Sequence, residues 1–402
     1  MKIAIAGAGI GGLVAALCLH ERGFDVAVYE AVDELQLLGV GINVGPHGSG
    51  VLHGLGLGPA LDDIAVRTRA IEYRTRYGHL IQSDPRSVEA GFDHPQYSVH
   101  RGELQFLLLD AVRTRVGHDA VMASKAVSGI AQDARGVDII FGDGTKAWSD
   151  LLIGADGFHS VVRHHLHPAE GPARYEGTMM WRGARTQAPF ADGRTMIIAG
   201  DHDVKFVCYP ISGRAAREGQ ALVNWVAEVR QHQPRAADDA DWLRESDRAF
   251  VAAFDDFRIP GIDVASLVMD TPRVTQYPMI DRDPLPWWTS DRVTLLGDAA
   301  HPMYPIGANG ASQAILDARV LADCLCSNAG PAGLLAYEGI RRAATSAVVL
   351  QNRASGPERV LDIAASRIKG PDDRIEDLIT SAELEEVAAQ YRQVAGFARK
   401  AV

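Results

Sequence analysis

Gly7-x-Gly9-x-x-Gly12 stands between a short β-rich run, Lys2–Ala6, and an Ala/Leu-rich stretch that reads as a helix to about His20. Each glycine has its own use. Gly7 permits a tight turn. Gly9 lets the backbone approach a pyrophosphate at the helix N-terminus, and Gly12 lets helix and strand pack closely. Gly23 ends the helix, and Asp25–Tyr29 reads as a second buried strand. Glu30 closes that strand, where a carboxylate can accept hydrogen bonds from ribose hydroxyls. Strand, turn, helix, strand and acid, in that order, make a βαβ unit for a dinucleotide. The motif alone does not separate FAD from NAD.

Other residues of suitable chemistry follow short apolar strands. Asp298 comes just after Arg292–Leu296, at the carboxyl edge of a sheet where ligands bind. It could meet a ligand hydroxyl or cap the next turn. Asp156 follows Leu151–Ile153 and precedes a helix, so capping and ligand contact both stand. Arg101 is a long cation before a helix starting near Glu103; a surface salt bridge is its plainer use. Gly307-Ala308-Asn309-Gly310 runs into a long helix, 310–326, whose N-terminus would aim positive charge at a neighbouring ligand. A bare N-cap at Asn309 is the alternative. His159, His164, His165 and His167 cluster, but no acidic or cysteine partner stands at a metal-ligand spacing. They read as a solvated basic helix, and no metal is expected.

These residues need a frame. Short apolar strands alternating with helices predict an α/β fold, doubly wound around a largely parallel sheet. Asp143-Gly144 between Val137–Phe141 and Lys146–Trp148 is a hairpin signal. From Thr178 to Val226 the pattern turns to β, which predicts an inserted, mainly antiparallel sheet. Asp239–Phe254 reads as a helix, and the tail from about Pro331 is helical and charged. A net charge of −11 speaks against nucleic acid or an anionic membrane surface as partner, since both are polyanions. No apolar stretch of membrane-spanning length is uninterrupted. Four cysteines, with neither zinc nor disulfide spacing, fit a reducing cytoplasm.

Two segments carry a resemblance. Gly154-Ala-Asp156-Gly157-Phe-His-Ser160-Val-Val-Arg163 and Leu295-Leu-Gly297-Asp298-Ala-Ala-His301-Pro302 resemble the internal fingerprints of single-component FAD-dependent aromatic hydroxylases, the para-hydroxybenzoate and salicylate hydroxylase family. Longer strings are similar to its phenazine-modifying members. They are Leu38–Ile42, Pro95–Leu104, Met180–Gly183, Gln276–Pro286 and Met303–Gly310.

The resemblance implies FAD as cofactor, NADH or NADPH as transient co-substrate, and O2. A flavin C4a-hydroperoxide would hydroxylate an electron-rich aromatic or N-heteroaromatic ring, phenazine-, quinoline- or salicylate-like. It implies Asp298 at the ribitol, Arg101 beside ribitol and phosphates, and Val40 and Gly41 near the ring. Asp156 lies in a segment tied to both FAD and the nicotinamide. Amides at Gly307, Ala308, Asn309 and Gly310 would meet the negative edge of reduced flavin. The pocket candidates are Trp181, Tyr209, Met303, Tyr304, Pro305 and Ile306, mostly apolar as a flat aromatic ligand requires. No side chain is assigned as catalytic, because the flavin carries the chemistry. The FAD-binding part is expected from 1–70, 98–172 and 270–330, the substrate-binding sheet from 71–97 and 173–269, and a helical segment from 331–402. A monomer or homodimer is expected. The rival functions are an FAD reductase or dehydrogenase without productive oxygen transfer, and a non-catalytic flavin-binding redox sensor.

Overall fold

Four strands of wholly or mainly apolar sequence, KIAIA, DVAVY, LLIG and VTL, need cover on both faces, and a parallel sheet between helices supplies it. Lys2–Ala6 lies between Asp25–Tyr29 and Leu151–Gly154, and Val293–Leu295 pairs outside the latter, all parallel. Val121–Met122 completes five strands. Helices Ile10–His20, Arg101–Arg115 and Gly310–Ser327 pack around them. Because the strands are parallel, their carboxyl ends at Ala6, Tyr29, Gly154 and Leu295 share one edge. The structure, a computed structural model, describes residues 1–37, 40–86, 88–231 and 244–396.

The antiparallel expectation also holds. Val137–Phe141 and Lys146–Ser149 form the hairpin, with Gly144 at φ 80° in its turn. An eight-stranded sheet runs from Arg244–Glu245 to Leu80–Pro85, antiparallel throughout except where Thr195–Gly200 meets Ala70–Arg74. Its two faces are both buried. One carries Trp181, Phe206, Cys208 and Trp225 against Phe250, Phe254 and helix Val264–Met269. The other carries Met180, Val207, Tyr209 and Val226 toward the FAD-binding part. Helix Arg359–Arg367 seals that second face with Val360, Leu361 and Ala364.

Three placements differ from the sequence-based expectation. Thr275–Asp281, expected in the FAD-binding part, pairs with Arg174–Arg182 in the antiparallel sheet. The chain therefore returns to the parallel sheet only at Val293. Tyr97–His100, which the expected 97/98 boundary divides, pairs with Gly41–Val44 and Val66–Arg67 in a small three-stranded sheet. The helix expected over Asp239–Phe254 lies partly outside the described residues. Its described part is a short strand, Arg244–Glu245, and a 3-10 turn, Ala249–Phe254. There Phe250 stacks on Trp181 at 4.4 Å, and that packing overrides the helical spacing. No described helix is long and apolar enough to cross a membrane.

Candidate functional site

The three glycines do three physically different things. Gly7 has φ 101°, and a Cβ there would lie 2.4 Å from the Ala155 carbonyl oxygen. A Cβ on Gly12 would lie 2.1 Å from the Gly7 carbonyl oxygen, so strand and helix touch through these two residues. At Gly9 a Cβ would meet nothing within 4 Å, and Gly9 lines the main cleft. Helix Ile10–His20 has no side-chain cap and no acid in its first turn. Its N–H groups are left for an anion.

Glu30 braces this loop. Its Oε2 accepts from the Ala8 N–H at 2.7 Å and its Oε1 from the Val32 N–H at 3.1 Å. A carboxylate has about four acceptor positions, so two remain for ribose hydroxyls. Glu30→Ala should weaken FAD binding about 5–150-fold, the ~1–3 kcal/mol of charged hydrogen bonds. Flavin-fluorescence titration of the apoprotein measures this; unchanged affinity would leave Glu30 a brace only.

From Gly9 a cleft of about 470 Å³ runs to the second face of the antiparallel sheet. Arg101 begins helix Arg101–Arg115, which His100 caps by accepting the Glu103 N–H. Its side chain is exposed to the cleft and, among the described residues, has no ion-pair partner. Asp298, inside the turn Gly297–Ala299, is likewise exposed to the cleft without a protein partner among the described residues. It caps no helix. A free cation and a free carboxylate in one cleft fit the phosphates and polyol of FAD.

The turn at Val40–Gly41 lines the cleft as well. Leu38 and Gly39 lie outside the described residues. The Arg101 N–H donates to the Val40 carbonyl at 3.0 Å. Gly41 N–H donates to Asn224 Oδ1 at 2.6 Å, and its carbonyl accepts from Arg182 Nη2 at 2.9 Å. Arg182 Nε and Asn224 Nδ2 are buried and, among the described residues, lack acceptors. Such orphans at a cavity wall fit a polar ligand.

Gly307, Ala308, Asn309 and Gly310 all line the cleft. Gly307 and Ala308 have φ 71° and 52°, and Asn309 gives no side-chain cap to helix Gly310–Ser327. A Cβ on Gly307 would fall 2.0 Å from the Tyr391 hydroxyl, in the C-terminal helix. Positive φ and Tyr391 demand the glycine, so the loop and the last helix are packed as one piece.

Asp156 does not line the cleft. Its carboxylate accepts from Ser160 Oγ and from the Val161 and Val162 N–H groups at 2.8 and 3.2 Å, capping helix Val161–Leu166. Burial raises its pKa, against those donors. Two pocket candidates also sit elsewhere. Trp181 faces the opposite side of the sheet, while its neighbours Met180 and Arg182 line the cleft. Ile306 packs into the apolar cluster under the C-terminal helices. Tyr209, Met303, Tyr304 and Pro305 do line the cleft.

Sequence reasoning passed over two buried anchors. Arg163 closes the first fingerprint. Its guanidinium pairs with both oxygens of Glu170 at 2.7 and 2.6 Å and donates to the Ala299 and Ala300 carbonyls at 3.0 and 2.9 Å. The two fingerprints are therefore tied by one side chain. Arg163 is buried, whereas His159, His164 and His165 around it are exposed, as the solvated reading of the histidines expects. The other anchor is Asp317, fully buried in the long helix, which accepts from His301 Nε2, from Arg341 Nε and from the Gly297 N–H. A carboxylate on the apolar face of a helix was the available signal.

The FAD binding domain family (FAD_binding_3) matches residues 1–352, and the chain belongs to it. Over 364 residues it is 44% identical to phenazine 1,6-dicarboxylic acid hydroxylase PhzS of Lysobacter antibioticus, covering 87% of this chain and 89% of that one. Over 366 residues it is 30% identical to salicylate hydroxylase of Pseudomonas putida, covering 85% and 82%. Klebsiella pneumoniae HpxO, solved with FAD and uric acid, superposes with TM-score 0.75 at 27% identity, covering 99% and 93%. The fold and the glycine-lined cleft thus define an FAD-dependent oxidoreductase. More narrowly, the chain is an FAD-dependent aromatic monooxygenase that takes electrons from NAD(P)H.

Proposed function

We propose that the substrate is a flat, multi-ring N-heteroaromatic acid of phenazine-like size, hydroxylated by this chain as a soluble cytoplasmic monomer or homodimer. The carrying observation is the cleft, which runs unbroken from the glycine loop to an apolar sheet face. The 44% identity to a phenazine dicarboxylate hydroxylase supports the ring system. Bound FAD supplies two-electron chemistry with NAD(P)H and the transfer of one oxygen atom from O2 to the ring.

The chain's own groups position and shield. Arg101 neutralises phosphate and Asp298 accepts from polyol hydroxyls. The Gly307–Gly310 amides and the dipole of helix Gly310–Ser327 favour negative charge at the ring edge. Met180, Val207, Tyr209 and Val226 offer a flat apolar bed and keep water from the reacting atoms. The domain boundaries that suit this reading place 174–230 and 275–281 in the substrate-binding part.

The test is a panel of phenazine, quinoline, salicylate and anthranilate carboxylates with the FAD-replete enzyme. NAD(P)H oxidation should be slow alone and rise about tenfold or more with the right ligand, giving a product with one added oxygen. Reduction that waits for substrate protects reduced flavin from wasted reaction with O2. Equal rates with and without every ligand would overturn the proposal.

A further inference from the structure

At the sheet end of the cleft, three buried charges meet. Lys205 Nζ donates to Glu228 Oε2 at 2.8 Å and also to Glu358 Oε2. Glu228 and Lys205 are cross-strand partners, and Met180 faces Glu228 from the other side. Glu358 comes from a different element, the turn Gly356–Glu358. All three are at least 93% buried, yet both carboxylates line the cleft. Two carboxylates sharing one ammonium carry one net negative charge when ionised. Burying it is costly unless a partner or a proton answers it.

We propose that Glu228 is a catalytic residue, the acceptor of the proton from a ring hydroxyl or ring N–H of the bound aromatic substrate. The inference rests on the hydroxylase reading and narrows its substrate to rings with an ionisable donor. The O–H or N–H bond of the ring breaks, its electron pair stays on the ring, and a new O–H bond forms at Glu228. The cluster passes from one negative charge to none, which burial favours. The ring gains the negative charge and becomes a better nucleophile toward electrophilic oxygen. The proton returns when product leaves.

The surroundings agree. Burial first, and then the repulsion of Glu358, raise the proton affinity of Glu228, while Lys205 and Arg182 oppose the rise. Burial disfavours charge on Lys205, but its two carboxylates more than restore it, so the lysine stays an ammonium. Arg182, from the strand beside Glu228, lines the same wall and can face the ionised ring. The other cation of the wall, Arg86, is paired with Asp84 at 2.6 Å. Tyr73, Tyr209 and Tyr277 are the other ionisable groups on the sheet side among the described residues.

The test compares the unaltered holoenzyme with Glu228→Gln and Glu228→Asp. The probes are ring-hydroxylated phenazine, quinoline and benzene carboxylates, each beside its O-methyl ether. Ultraviolet–visible difference spectra read the ionised ring directly, from about pH 6 to 9. The unaltered enzyme should show the ionised band at a pH below the free ligand's own pKa. Glu228→Gln should lose that band and about tenfold or more in kcat near neutrality, with KM changed far less. Raising the pH past the ligand's pKa should restore its rate, and Glu228→Asp should keep part of the band. If Glu228→Gln does not fold, Glu358→Gln serves. With one repelling charge gone, the band should appear about one pH unit higher.

An unchanged band and pH profile in Glu228→Gln would overturn the proposal. So would an equal loss with the ether ligands, which marks a structural role, or binding confined to rings without an ionisable donor. If no aromatic ligand binds or stimulates the unaltered enzyme, the hydroxylase reading of the site fails instead.

Discussion

Gly9→Val should give a folded protein that purifies colourless. At Gly9 the backbone has φ −72° and ψ 179°, extended geometry that any residue adopts. A Cβ there would meet no protein atom within 4 Å. The fold therefore has no reason to reject valine. The ligand does, because the added methyls fill the space above the uncapped helix N-terminus where a pyrophosphate must approach. FAD affinity should fall about 100-fold or more, at least ~2.7 kcal/mol. Gly12→Val is the contrast. Its Cβ would collide with the Gly7 carbonyl at 2.1 Å, so strand and helix must separate and the protein should not fold normally. Circular dichroism and thermal melts of the apoproteins, followed by FAD titration, make the comparison. A yellow Gly9→Val protein of normal affinity would mean that the cofactor's phosphates lie elsewhere.

The parts of this site that were readable from sequence are the parts made by neighbours in sequence. Strand, turn and helix around Gly7–Gly12 form one local unit, and Glu30 follows it by a fixed geometry. The hairpin at Asp143-Gly144 is equally local. Trp181 shows where such reasoning stops. Alternation says that Met180 and Trp181 face opposite ways, but only strand register and the packing partners decide which side holds the cleft. Here Phe250 claims the tryptophan. Thr275–Asp281 was misplaced because its partner strand lies about a hundred residues earlier. Gly307 lines the cleft as expected, but its second neighbour, Tyr391, was not legible, because the tail reaches it only after folding back. Glu228 and Arg182 went unnoticed for a like reason. Each looks like an ordinary outward charge on a strand until both faces of the sheet are seen to be buried.

Asp317→Asn should destabilise the protein by about 3–5 kcal/mol, the usual cost of removing one partner from a buried charge pair. Asp317 is fully buried and holds Arg341 Nε at 2.6 Å and His301 Nε2 at 2.5 Å. Asparagine keeps the size and one acceptor oxygen but loses the charge, and its NH2 must face one of the donors that the carboxylate accepts from, Arg341 Nε or the His301 Nε2 and Gly297 N–H pair. The effect should reach the cofactor too. Asp317 accepts from the Gly297 N–H at 3.1 Å, and Gly297 directly precedes Asp298 in the cleft. FAD affinity should fall with stability. The pH dependence separates this account from simple loss of packing. Burial pushes the Asp317 pKa up, but His301 and Arg341 outweigh it and hold the carboxyl at about 2, below its ordinary 3.8. A group depressed in this way stabilises the folded state above its unfolded pKa, by about 2 kcal/mol here. That contribution is lost as pH falls from about 4 through 2. The stability gap between unaltered protein and Asp317→Asn, measured by urea unfolding, should therefore be constant from neutrality to about pH 5 and shrink below about pH 4. A gap that stays the same at every acid pH would mean that the carboxylate's charge contributes nothing and that Asp317 only fills space.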